Sequence, residues 1–107
     1  MSEEKKENIE LKEDELKKVV GGYEVSKAKL NTGDTFKDSY STGVDYFMFK
    51  GTTGEYGLDS DLRFIRYRVY SNSTTKDLSW YVSLKNISKY EYYKVCTEAE
   101  LDAMLLK

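Results

Sequence analysis

The residue types that carry most protein chemistry are scarce in this chain. It contains no histidine and one cysteine, Cys96, so it lacks the usual general base near neutral pH and the commonest metal ligand. It has no zinc-ligand spacing, no phosphate-binding glycine loop and no pairing typical of a catalytic nucleophile. Asp59 and Asp61 lack the spaced ligands of a calcium loop, so we expect both to be solvated turn residues. The sequence predicts no catalytic residue, no metal site and no cofactor, and hence no enzyme.

The feature that could still take part in chemistry is the pair Gly21 and Gly22, as a substrate. It ends the segment LKEDELKKVVGG, residues 11–22. Apolar residues recur there at helix-like intervals, which predicts a short amphipathic helix that stops at the glycines. Two residues without side chains leave an extended backbone open to a narrow protease cleft.

Six residues define the pattern: Leu11, Glu15, Leu16, Val19, Gly21 and Gly22. Their spacing resembles the double-glycine leader of bacteriocin-type precursors from Gram-positive bacteria. The resemblance implies that the cysteine-peptidase domain of an ABC exporter recognises the leader and cuts between Gly22 and Tyr23. It also implies two units, a leader of residues 1–22 and a mature domain of residues 23–107. Lys12 departs from the family, which often has a small polar residue there.

The roles implied by the resemblance agree with the residue types. Leu11, Leu16 and Val19 would form an apolar stripe that docks in a groove of the peptidase. Glu15, on a neighbouring helix face, would pair with a basic residue of that partner.

The charge distribution excludes some partners. Residues 1–22 contain five Lys and seven acidic residues, and the remainder contains twelve residues of each sign. Nucleic-acid binders and peptides that permeabilise membranes usually carry a clear positive excess. We therefore expect no nucleic-acid partner, and the neutral charge of residues 23–107 argues against membrane binding.

Cys96 and the lack of a conventional signal peptide bear on the compartment. A lone cysteine is either a small buried hydrophobe or, in a secreted protein, a free thiol or intermolecular bridge. Residues 1–22 contain no continuous apolar run of the kind that secretory signal peptides have. If the protein is secreted, as the leader implies, the double-glycine route is the one that the sequence provides.

The rest of the chain predicts an α+β fold, a small antiparallel sheet of about four or five strands in a meander with a C-terminal helix. Residues 23–30 fit a short strand, although 28–30 would also suit a helix. The clearer predicted strands are TFKDSYS (35–41), VDYFMFK (44–50), LRFIRYRVYS (62–71), LSWYVSL (78–84) and ISKYEYYKVC (87–96). Turns are predicted at 31–34, 72–77 and 85–86, and a long mobile loop at 51–61.

Two packing expectations follow from these elements. The turn at 85–86 would place strand 87–96 antiparallel to strand 78–84. Thr97 and Glu100 form a capping-box pattern that opens a helix over 98–106. We expect Leu101, Met104 and Leu105 of that helix to pack on the sheet, on the face that carries Leu78, Trp80, Val82 and Leu84.

All ten tyrosines follow Gly22, and they admit two interpretations. Aromatic residues are favoured in sheets, where they simply pack. Tyrosine with arginine also suits a recognition surface. On the second interpretation a binding face would comprise Arg66, Arg68, Tyr90 and Tyr92.

Two functions remain open on the sequence alone. The first is a secreted bacteriocin-like precursor whose mature domain binds an unknown extracellular target, to kill or to signal. The alternative is a cytosolic, non-enzymatic binding module, such as an immunity-type or regulatory protein, whose N-terminal helix belongs to the fold.

Overall fold

A five-stranded antiparallel sheet with the strand order β8-β7-β5-β4-β9 forms the centre of the fold. The computed structural model describes residues 19–20, 23–24 and 26–106, and the side chains of 26–106. The strands are β1 Val19–Val20, β2 Tyr23–Glu24, β3 Lys27–Leu30, β4 Asp34–Tyr40, β5 Gly43–Phe49, β6 Gly54–Gly57, β7 Asp61–Tyr70, β8 Ser73–Ser83 and β9 Glu91–Val95. The helices are α1 Leu84–Ile87 and α2 Glu98–Leu105. The α+β class and the antiparallel sheet are confirmed, but there are more strands than predicted, since β3 and β6 form a second sheet and β1 and β2 a short pair.

The central strands bury apolar side chains on both faces of the main sheet. On β5, Phe47 and Phe49 point to one face and Met48 to the other, and all three are buried. Successive side chains of a strand point to opposite faces, so consecutive apolar residues place apolar groups on both faces of the sheet. We call the side with Phe36, Phe47, Phe49 and Phe64 the phenylalanine face, and the side with Met48, Ile65 and Tyr67 the helix face.

The phenylalanine face is covered by β3, β6 and α1. Ala28 and Leu30 of β3 and Leu84 and Ile87 of α1 join its hydrophobic cluster. The ring of Tyr56 on β6 meets Phe49 edge to face, with the centroids 5.6 Å apart. Backbone hydrogen bonds connect these covering elements, for example from the Lys85 N–H to the Leu58 carbonyl at 2.7 Å.

The helix face is covered by α2. Its Leu101 is fully buried against Met48, Ile65 and Tyr67, and Leu105 packs at the margin. The predicted capping box is confirmed, because Thr97 Oγ1 accepts from the Glu100 N–H and Glu100 Oε1 accepts from the Thr97 N–H. Met104, which we expected to pack, is 37% exposed.

Charged side chains hold α2 in this position. Lys76 Nζ on β8 lies 2.9 Å from both Glu98 Oε2 and Asp102 Oδ1, and Lys50 Nζ lies 2.8 Å from Glu98 Oε1. The Tyr67 hydroxyl donates to Asp102. Hydrogen bonds from Lys50 and Lys76 lower the pKa of Glu98, and those from Tyr67 and Lys76 lower the pKa of Asp102.

The predicted location of the helix was wrong. It does not lie on the face assigned to Leu78, Trp80, Val82 and Leu84, because Trp80 opposes Phe64 on the phenylalanine face, whereas α2 packs on the helix face. Leu84 begins α1, and β8 is an edge strand. Leu78 is 56% and Trp80 37% exposed. The regular alternation in this stretch reflects a strand that lies at the boundary of the core rather than in its middle.

The predicted pairing of strands 78–84 and 87–96 was also wrong. Residues 85–86 lie within α1, where Ser83 Oγ caps the helix by accepting from the Asn86 N–H. Leu84 and Ile87 are three residues apart, so one helical turn buries both side chains in the core. β9 pairs with β4 at the opposite edge of the sheet from β8.

Two predicted irregular segments contain strands. Residues 54–57 in the predicted loop form β6, because the second sheet gives them a partner in β3. Residues 73–77 of the predicted turn belong to β8, which leaves Ser71 and Asn72 as the turn. The predicted turn at 31–34 is confirmed, and its Gly33 has a φ of 93°. Glycine is required there, because a Cβ would lie 2.6 Å from the Cys96 carbonyl oxygen.

Phe64 and Trp80 are directly opposed in the sheet and give a matched test of this core. Phe64→Ala should lower the free energy of unfolding by about 3–5 kcal/mol, since Phe64 is fully buried. Trp80→Ala should lower it by about 1–2 kcal/mol, from lost partial burial and a cation–π contact. Chemical denaturation of both variants measures the difference. An equal loss in the two variants would contradict the assignment of Trp80 to the margin of the core.

Candidate binding face

The four residues of the binding face that the sequence suggested lie on the same face of the main sheet. Arg66 and Arg68 on β7 and Tyr92 on β9 lie on the phenylalanine face, because they oppose Phe47, Asp45 and Phe36 respectively. The ring of Tyr90 stacks on Phe47, with centroids 5.5 Å apart and planes 25° apart.

Beyond the apolar cover, this face becomes polar and aromatic. We call this region the polar half, defined by Asp38, Tyr40, Asp45, Arg66, Arg68, Tyr70, Asp77, Trp80 and Tyr90. All are at the surface or at its margin except Asp45. The polar half thus offers aromatic area beside charged groups on one face of the sheet, which suits recognition.

Asp45 is the central charged group of the polar half. Its side chain is only 4% exposed. Arg68 donates to both carboxylate oxygens, from Nε at 2.9 Å and from Nη2 at 2.8 Å, and the Tyr40 hydroxyl donates at 2.7 Å. Burial opposes the charged form of Asp45, but the hydrogen bonds from Arg68 and Tyr40 outweigh it and lower the pKa. Burial, followed by the hydrogen bond to Asp45, raises the pKa of Tyr40 to about 12.

Arg66 is held by an aromatic ring and a carboxylate. Its guanidinium carbon lies 3.8 Å from the centroid of the Trp80 ring, and its Nη2 donates to Asp77. The Arg66 Nε is buried without an acceptor among the described residues. A stacked guanidinium loses little entropy on forming further hydrogen bonds.

Tyr90 and Tyr92 serve the packing of the sheet as well. The Tyr92 ring meets Phe36 edge to face at 5.6 Å, and its hydroxyl donates to Asp34 Oδ1 at 3.3 Å. Burial, and next the negative charges of Asp38 and Asp45, raise the pKa of Tyr90. The choice between ordinary packing and a binding role therefore stays open for these two residues.

The residues of the leader pattern fall mostly outside the described part of the chain. Leu11, Glu15, Leu16, Gly21 and Gly22 lie there, while Val19 is in β1 and Tyr23 in β2. The helix predicted up to the glycines was wrong at its end. Val19–Val20 is a strand that pairs antiparallel with Tyr23–Glu24, and β-branched valines favour a strand over a helix.

Sequence reasoning missed Asp45, Tyr40 and Asp77 as parts of this face. A signal was available for Asp45, since a carboxylate among the apolar residues of a central strand needs a partner when buried. Arg68 could have been identified only with the register of β5 and β7. Asp77 was hidden by the predicted turn at 72–77.

Cys96 fits the interpretation as a small buried hydrophobe. It is 8% exposed, belongs to the cluster of the helix face and lies with its Sγ 3.5 Å from Thr35 Oγ1. Asp59 and Asp61 are exposed. No group of three or more potential metal ligands is found among the described residues.

Comparisons with family models, with curated proteins and with solved structures give no match for this chain. Among the helices of the described region, none combines the length and the apolar character needed to cross a lipid bilayer.

The buried carboxylate of Asp45 makes stability depend on pH in the acid range. Its pKa is lower in the folded than in the unfolded state, so its contribution is complete above about pH 4 and is lost as the pH falls through the folded value. Asp45→Asn should therefore flatten the loss of stability that occurs as the pH falls below about 4. Denaturant titrations at several pH values measure this slope. A slope in Asp45→Asn equal to that of the unmodified protein would contradict the prediction.

Proposed function

We propose that this chain is the precursor of a secreted, non-enzymatic binding protein, and that a peptidase-containing ABC exporter removes residues 1–22. The observation that carries the proposal is the position of Gly21 and Gly22 relative to the core. Both hydrophobic clusters are built from residues at or after Ala28. Cleavage after Gly22 therefore leaves every contact of the described core in the product.

The peptidase must find the scissile bond accessible. In the structure the pairing of Val19–Val20 with Tyr23–Glu24 brackets the glycines. An isolated pair of two-residue strands is marginal in water, so it opens at little cost in free energy. The stripe of Leu11, Leu16 and Val19 would then dock as a helix in the peptidase groove, with Glu15 paired to a basic residue.

The mature domain would act by binding. Its charges balance, which argues against attraction to anionic lipid or nucleic acid. The polar half provides the aromatic and arginine side chains that are enriched at the centres of protein interfaces. Arg66 and Trp80 are its best-organised pair, because the ring fixes the plane of the guanidinium.

Cleavage is tested by mass spectrometry of the protein recovered from the medium of a producing cell. The expected product begins at Tyr23 with the sequence YEVSKAKL. Gly22→Val should stop cleavage while the leader still docks, because a branched side chain blocks the cleft. Leu16→Ala should raise KM for the peptidase domain about tenfold with kcat nearly unchanged, which corresponds to about 1.4 kcal/mol of lost binding.

Lys18→Ala is the matched control, since it alters the same segment at a position outside the recognition pattern. It should be cleaved like the unmodified chain. Recovery of only the full-length chain, or of a chain cut at another bond, would refute the proposed leader.

A cytosolic binding module is the second candidate, and two observations favour it. The pairing of β1 with β2 joins Val19–Val20 to the segment after the glycines. Cys96 is a free, buried thiol, as is common in the reducing cytosol. In this case residues 1–22 would belong to the folded protein.

Removal of residues 1–22 separates the two candidates. For a precursor, the chain 23–107 should unfold at nearly the same temperature as the full chain, because the clusters lose no residue. For a module whose N-terminal segment packs on the domain, deletion should lower the midpoint of thermal unfolding by several degrees. The expected shift is about 4–8 °C for each kcal/mol of unfolding free energy that is lost. Calorimetry of the two chains gives the answer directly.

A further inference from the structure

The strand β8 leaves one edge of the main sheet without a partner among the described residues. Ser73–Ser83 spans eleven residues and pairs with β7 alone. In an antiparallel edge strand, alternate backbone N–H and C=O groups point away from the sheet and can pair with another strand. The chain contains no proline, which would interrupt such pairing.

Exposed apolar side chains concentrate on the second half of β8. Leu78 is 56%, Trp80 37% and Tyr81 60% exposed, and they lie within four consecutive residues. The first half, Ser73–Asp77, contains small polar residues and two charged ones. Its Lys76 is paired with residues of α2, and its Asp77 with Arg66.

We propose that β8 is the surface through which two copies of this chain associate, by antiparallel pairing of residues 79–83 about a two-fold axis at Tyr81. The proposal is independent of the leader. It concerns the folded domain, which is the same in both candidate functions.

The proposed register places the two-fold axis in the part of β8 that follows a bulge. β8 is out of step with β7 between Trp80, which opposes Phe64, and Asp77, which opposes Arg66. The regular segment after the bulge is self-complementary. With the axis at Tyr81, Trp80 opposes Val82 of the second copy and the two Tyr81 residues oppose each other, and both pairings are favourable across strands.

The other edge of the sheet does not offer an equivalent partner. β9 has five residues, of which Glu91 and Lys94 are charged, and its pairing with β4 is irregular. A contact of β8 with β9 of another copy would also be heterologous and open-ended, whereas a contact of β8 with itself closes as a dimer. The properties of the two edges therefore favour a second copy bound through the same segment of β8.

Such a dimer would enlarge the candidate binding face. A two-fold axis perpendicular to the sheet keeps both phenylalanine faces on one side. The stacked pairs of Arg66 and Trp80 from the two copies would then flank the axis, and the two polar halves would form one surface.

Sedimentation equilibrium of the full chain, over a concentration series up to about 1 mM, tests the association. The unmodified chain should show a reversible dimer. Tyr81→Lys places two like charges opposite each other and should weaken dimerisation at least about tenfold. Thr75→Lys, on the first half of the same exposed strand, is the matched control and should dimerise like the unmodified chain.

Disulfide trapping tests the register. In a Cys96→Ala background, Tyr81→Cys should form a symmetric intermolecular disulfide on mild oxidation, because directly opposed residues lie within bridging distance. Thr75→Cys should remain largely monomeric. An unmodified chain that stays monomeric throughout, equal weakening by the two lysines, or equal trapping of the two cysteines would overturn the proposal.

Discussion

The need to cover both faces of one sheet governs the arrangement of the whole chain. On β5 the buried residues Phe47, Met48 and Phe49 are consecutive, so they point to opposite sides. A sheet with apolar groups on both faces cannot leave either one in water. The elements outside the main sheet meet this need, with β3, β6 and α1 on the phenylalanine face and α2 on the helix face. The same need explains why the chain crosses from β8 to β9 through α1 instead of turning back directly.

Where the apolar cover ends, the ion pair of Asp45 and Arg68 helps to fix the register. A buried pair adds little stability over an apolar pair of the same volume. Its value lies in specificity, because a shift of one residue between β5 and β7 would move Asp45 to the other face, away from Arg68. The hydrogen bond from Tyr40 extends the same constraint to β4. These hydrogen bonds restrain the side chains of Asp45, Arg68 and Tyr40, which would reduce the entropy cost of binding a partner.

The sequence predicted some local features well and the long-range ones poorly. Turn residues and the capping box act within a few residues of each other, so the turn around Gly33 and the start of α2 at Thr97 and Glu100 could be predicted. The partner of β9 and the location of α2 depend on contacts between distant residues. Alternation in residues 78–84 indicated a strand, but edge and central strands can share that pattern. Likewise β6 became a strand only because β3 lies beside it.

The two-faced sheet also bears on the N-terminal segment. Among the described residues, both faces are covered by residues at or after Ala28. In the proposed precursor, the residues that flank the glycines would be selected for recognition by a peptidase. Valine and glycine are compatible with both the docked helix and the paired strands. Valine is tolerated in a helix and favoured in a strand. The glycines permit either a tight turn or an extended chain. In the proposed precursor, this segment would pair as β1 and β2 in the free protein and be drawn out on the peptidase when that two-residue pairing opens.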